Sequence, residues 1–124
     1  MSAGVMRAFL SGLMAAFWLT GALAADERVD AEVEYLLTRI GESECVFIRN
    51  GKDHTAADAE EHLRMKYRKG RRWVDDSGQF IDRIASESSW TGEPYRVRCS
   101  AQGEPELTRD WLRRLLSEYP LPPA

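Results

Sequence analysis

The chain has 124 residues, 44% hydrophobic and 30% charged, which is enough for one globular domain and too short for a TIM barrel. Its 17 basic and 20 acidic residues leave a net charge of −3, which argues against a general nucleic-acid binder. Two cysteines and two histidines are too few for a zinc finger or an iron–sulfur cluster, no GxGxxG, GxxxxGK[ST] or GxSxG motif occurs, and no cofactor is expected.

Taken from the N-terminus, Arg7 is followed by an uncharged run from Ala8 to Ala25 that carries Phe9, Leu10, Leu13, Met14, Phe17, Trp18 and Leu19. Ala22-Leu23-Ala24 then supplies a small-residue exit. Basic start, apolar middle and small-residue exit predict a secretory signal peptide over residues 1–24, with a retained anchor as the alternative. Ser11, Gly12, Thr20 and Gly21 dilute the run below what an anchor needs, so no transmembrane span is expected in the mature form. Cleavage removes Arg7 from the 17 basic residues and none of the 20 acids, leaving a single domain over 25–124 with a charge of −4. The expected location is the periplasm or the exterior.

In the mature chain, Val29, Val33, Leu36, Leu37 and Ile40 recur at helical spacing and predict a helix over 26–43. Cys45-Val46-Phe47-Ile48-Arg49 reads as a strand ending at Asn50-Gly51, a two-residue hairpin signal, with Lys52–His54 as a brief return strand. Thr55 is an N-cap for a second helix over 56–69, whose acids come early and bases late, in the order that complements the helix dipole. Arg71–Val74 is a connector. Asp75, Asp76 or Ser77 caps a third helix with Phe80, Ile81, Ile84 and Ala85 on its apolar face. A polar loop over 86–94 leads to a second β-like stretch, Tyr95–Cys99, and a last helix over 108–119 carries Trp111, Leu112, Leu115 and Leu116 on one side before Pro120, Pro122 and Pro123. The expected fold is α+β, about four helices on a two- to three-stranded sheet.

Cys45 and Cys99 both lie in β-like stretches. An even count of two in an exported protein favours one structural disulfide over a redox pair, for which CxxC proximity is lacking.

Phe47-Ile48-Arg49-Asn50-Gly51, His54-Thr55, Ala59, His62-Leu63 and Lys66 together resemble the YfeK-like family, small exported bacterial proteins of unknown function. The resemblance continues through Phe80-Ile81-Asp82, Ile84-Ala85-Ser86, Ser88-Ser89, Thr91-Gly92 and Pro94-Tyr95, and covers about residues 35 to 99. Some members carry the two cysteines. The chain departs at Asp75-Asp76-Ser77-Gly78-Gln79, where the family more often has Thr-Ala-Glu, and in its proline-rich tail. The resemblance implies an exported domain and brings no activity or site residues with it.

Candidate chemistry therefore rests on the residues themselves. Arg49, Asn50, His54, His62 and the hydroxyls of Ser86, Ser88, Ser89 and Thr91 gather near the expected sheet. A guanidinium fork and hydroxyls suit a carboxylate or phosphate; turn chemistry and a surface ion pair account for the same residues structurally. His54 and His62 lack a third ligand, so no metal is expected. Lys66, Arg68, Lys69, Arg71 and Arg72 form the densest charge run, suited to an anionic partner or to a solvated helix end. Trp73 and Trp90 fall in loops, as core plugs or contact anchors. The expected function is a non-enzymatic binding module of the cell envelope, its partner an unidentified envelope protein or anionic ligand. The alternative is a small envelope hydrolase using Asp58, His62 and Ser88 or Ser89, since Asp58 and His62 can meet on one helix face.

Overall fold

The apolar stripe of the first helix decides how the chain begins to pack. In the computed structural model, which describes residues 24–120, helix α1 covers 24–42 and buries Val29, Val33, Leu36, Leu37 and Ile40 on one face. The expected leader lies outside the described residues apart from Ala24, as do Pro122 and Pro123 of the tail. Among the described residues, no helix is long and apolar enough to cross a membrane.

The hairpin forms as its turn chemistry requires. Strand β1, Val46–Arg49, passes through Asn50 and Gly51 with φ of 50° and 76°, and returns as β2, Lys52–His54. Two successive positive φ angles match the right-handed twist of the flanking strands, and Asn-Gly adopts them at little cost. Thr55 then caps α2, Ala56–Gly70, by accepting a hydrogen bond from the Asp58 N–H at 3.1 Å.

Helix α2 runs antiparallel to α1. Arg64 binds Glu34 at 2.7 Å, the Tyr67 hydroxyl donates to Asp30 at 2.6 Å, and Arg71 reaches Asp30 at 2.8 Å. Gly41 faces Glu60 at the other end of the pair, where a Cβ would collide with the Glu60 carboxylate. A single 3-10 turn, Arg71–Trp73, follows, and Asp76 caps the short helix α3, Ser77–Gln79, by accepting from the Gln79 N–H at 2.7 Å.

The third helix is where regular periodicity misleads. Instead of continuing as an α-helix, the chain widens into a π turn over Phe80–Ile84, closed by the Ala85 N–H on the Phe80 carbonyl at 3.1 Å. Phe80, Ile81, Ile84 and Ala85 are all buried, so the expected apolar face is present on a different backbone.

The sheet has four strands rather than two or three, antiparallel throughout, in the order β2-β1-β3-β4. Strand β3 is Arg96–Arg98 and β4 is Glu106–Leu107. Two residues are too few to show an alternation, and β4 abuts helix α4, Thr108–Ser117, so in sequence it reads as the approach to that helix. Trp111, which packs edge-on against Phe47 at 5.6 Å, and Leu112 and Leu115 close the core over the sheet.

Register explains the disulfide. Val46 pairs with Arg98 and Phe47 with Val97, so one step outward sets Cys45 opposite Cys99, and the two are bridged. A cross-link over 54 residues removes about 4 kcal/mol of chain entropy from the unfolded state, a large share of the ~5–15 kcal/mol total of such a domain. Reduction, or replacement of both cysteines by serine, should lower the unfolding free energy by up to about this amount in denaturant titrations. Unfolded, unreduced protein should show no titratable thiol; two would contradict the bridge.

Candidate functional site

The same parity that joins the cysteines assembles a site at the opposite end of β1. Cys45, Phe47 and Arg49 point to one face, as do Tyr95, Val97 and Cys99 on the partner strand, because side chains alternate. Continuing the register sets Arg49 beside Tyr95. His54 is paired with Phe47 and shares this face, on which α2 lies with Ala59, His62, Leu63 and Lys66. Together with His62, His54 lines a chamber of about 20 Å³ under the sheet edge, where the Thr108 Oγ1 is buried without a hydrogen-bond partner among the described residues.

Outside this chamber lies a groove of about 540 Å³. The Arg49–Asn50 turn forms one end, the face of α2 from His62 to Gly70 one wall, and the 88–91 loop the other. Trp73, Arg83 and Ile84 lie at the far end. From His62 to Gly70 the helix advances about 12 Å at 1.5 Å per residue. Arg49, Lys66, Lys69 and Arg83 line the groove, and no Asp or Glu is among its described lining residues.

Tyr95, a buried residue, is the centre of this arrangement. Its hydroxyl receives a hydrogen bond from Lys66 Nζ at 3.1 Å and lies 3.3 Å from His62 Nε2. The Lys66 ammonium is also 5.0 Å from the ring centroid and donates to the Glu87 carbonyl at 3.1 Å. Burial pushes Lys66 below its ordinary pKa; the Glu87 carboxylate opposes that shift, and the Arg49 guanidinium adds to it. Burial pushes the Tyr95 phenol up. His62 is pushed down to about 4, first by burial and then by the positive charge of Arg49, Lys66 and His54. Its imidazole is therefore neutral at neutral pH.

The loop is held from within. Ser88 Oγ accepts from Asn50 Nδ2 at 3.3 Å, the Trp90 N–H at 3.2 Å and the Thr91 N–H at 3.3 Å. The Thr91 hydroxyl donates back to Asn50 Oδ1 at 2.6 Å, and Gly92 takes a φ of 75° to close the turn. Asn50, Ser88 and Thr91 thus shape the wall, while Ser89 and the indole of Trp90 stand exposed on it. The Ser–His–Asp grouping is not assembled. Ser88 Oγ is occupied by three N–H donors, His62 Nε2 faces Tyr95, and Asp58 is exposed with no bond to His62 among the described residues.

The dense basic run divides in two. Arg71 binds Asp30, lies 3.8 Å from Asp26, donates to the Val74 carbonyl at 2.9 Å and covers the Tyr67 ring, so it pins α1 to the end of α2. Arg72 instead stacks on the Trp73 indole at 4.1 Å. Tyr95 and Arg83, which sequence reasoning passed over, belong to the site. Strand parity with Cys99 was the signal for Tyr95; Arg83 owes its place to the π turn, which has no sequence signal. No group of three or more His, Cys, Asp or Glu able to hold a metal occurs among the described residues.

Fold and site together define a small disulfide-bridged α+β domain with a cation-lined groove. The chain matches the family of unknown function DUF5329 over residues 27–120, and it belongs to that family. It is also 39% identical over 67 residues to the uncharacterized protein YfeK of Salmonella typhimurium (strain LT2), an alignment covering 53% of this chain and 56% of that protein. The chain thus spans a little over half the length of the curated relative it matches. No solved structure matches it.

The lowered pKa of His62 has a definite consequence. Between about 4 and its ordinary value of 6.5, the unfolded chain binds a proton that the folded state rejects. Stability contributed by neutral His62 is complete above pH 6.5 and is lost as pH falls toward 4. Proton NMR of the imidazole should give a midpoint near 4, moved upward by Arg49→Gln; a midpoint at or above 6.5 would contradict the buried, cation-flanked placement.

Proposed function

We propose that the domain is an exported, non-enzymatic binding module of the bacterial envelope that holds an anionic group, phosphate or carboxylate, in the groove beside Tyr95. The observation that carries this reading is charge without compensation. Arg49, Lys66, Lys69 and Arg83 converge on one groove in a protein of net charge −3, with no carboxylate lining it. None of these four cations has a carboxylate within ion-pair distance among the described residues, whereas Arg64 and Arg114 are paired with Glu34 and Glu106. An anion supplies the missing partner, and the fork of Arg49 next to the point charge of Lys66 suits an oxyanion.

Preorganisation supports the same reading. Internal hydrogen bonds hold the loop wall in place, and Tyr95 holds the Lys66 ammonium, so little ordering remains to be done when a ligand binds. Export is supported by the disulfide in a domain of this size and by the leader-like N-terminal run.

Titration with glycerol phosphate, followed by amide NMR, tests the groove. Saturable shifts should cluster at Asn50, Lys66–Lys69 and Ser88–Thr91, weaken with added salt, and vanish in the Arg49→Gln, Lys66→Gln double variant. Shifts scattered equally over exposed cations such as Arg96 and Arg109, or unchanged in the double variant, would overturn the assignment.

A further inference from the structure

Building on the groove as an anion site, we infer that its occupant is the headgroup layer of an anionic phospholipid surface, with Trp73 and Trp90 entering that layer on either side of the bound phosphate. The two tryptophans are the exposed large hydrophobic residues of the described chain, 55% and 96% exposed, and both border the groove. Elsewhere the fold buries its large apolar side chains, Phe80, Leu36, Leu37 and Ile81 among them. An indole left in water exposes a large apolar area, and an exposed apolar site bordered by polar groups marks a contact surface.

The chemistry of the rim selects a membrane surface over a soluble ligand. An indole has an apolar body and one N–H donor, and it prefers the level of lipid headgroups, where one side is apolar and the other wet. Trp90 is almost wholly exposed, so it projects from the wall instead of lying along it. A small anion seated inside the groove would leave most of that ring in water, whereas a plane of headgroups covers it. Arg72 stacks on Trp73 at 4.1 Å, so this anchor brings its own positive charge to the surface. Lys69 and Arg83 lie on the same side, next to Trp73. Each such cation near an anionic leaflet strengthens binding about fivefold.

The test uses protein in the form isolated from its host, with vesicles of phosphatidylglycerol and phosphatidylcholine in equal parts and vesicles of phosphatidylcholine alone. The readout is the difference between the two, so an apolar N-terminal segment that bound both equally would cancel. Sedimentation should show a clear excess of binding to the anionic vesicles, with quenching of tryptophan emission by brominated acyl chains. Arg49→Gln and Lys69→Gln should each weaken binding about fivefold. Trp90→Ala should weaken it further and reduce the quenching, leaving the part due to Trp73, with the melting temperature unchanged because the side chain is 96% exposed. Equal binding to both vesicle types, or anionic binding indifferent to Trp90→Ala and Arg49→Gln, would overturn the inference. Groove shifts with glycerol phosphate in a protein that ignores anionic vesicles would overturn the membrane assignment and leave the anion site standing. Absence of both would remove both. Binding of an acidic oligosaccharide in place of vesicles, with the same dependence on Trp90 and Arg49, would also overturn it.

Discussion

The need to satisfy one buried phenol organises the site. Tyr95 is 7% exposed, and a buried hydroxyl without a partner costs about 1–3 kcal/mol. Its partners come from α2, as Lys66 and His62, and this draws the helix against the end of the sheet. The backbone of the same residue binds the loop through the Ser86 carbonyl at 2.9 Å and accepts the Thr108 N–H that begins α4, also at 2.9 Å. One residue therefore ties loop, sheet, α2 and α4 together at the place where the groove opens. The disulfide secures the other end of the same strand pair.

That solution creates an electrostatic conflict. Lys66 loses hydration to serve Tyr95; the Glu87 carboxylate offsets part of that cost, and Arg49 adds to it. His62 meets the same conflict by remaining neutral. Clusters of groups shifted by burial and by neighbouring charge, bordering a groove, are candidate functional sites. The contrast within this chain sharpens the point, because the ion pairs of Arg64 with Glu34 and of Arg114 with Glu106 stand on other surfaces, each with its carboxylate present.

Much of the frame was legible in the sequence for definite physical reasons. The period of Val29 to Ile40, the Asn-Gly turn and the Thr55 cap are local signals that tertiary packing did not override, and the even cysteine count in β-like stretches pointed to the bridge. The π turn and β4 were hidden, the first because its apolar spacing mimics an α-helix and the second because two residues carry no period. Of the candidate site residues, Arg49, Asn50, His62 and Ser88 line one groove, where Asn50 and Ser88 are hydrogen-bonded to each other in its wall. The basic run could not be divided from sequence alone. Arg71 and Arg72 are neighbours, yet α1 supplies Asp26 and Asp30 to the first, while the second turns onto Trp73.

The central claim is that Lys66 is half-buried beside Tyr95 with no carboxylate in ion-pair contact among the described residues, and that the Glu87 carboxylate only partly offsets the cost of that burial. Its most direct test is the titration of the Lys66 side chain, followed by NMR at Cε and Nζ. The account predicts a midpoint below that of an ordinary lysine, because burial and Arg49 outweigh the pull of Glu87. A midpoint at or above the ordinary value would mean that Lys66 is solvated or paired with a carboxylate, and would contradict the proposed anion site.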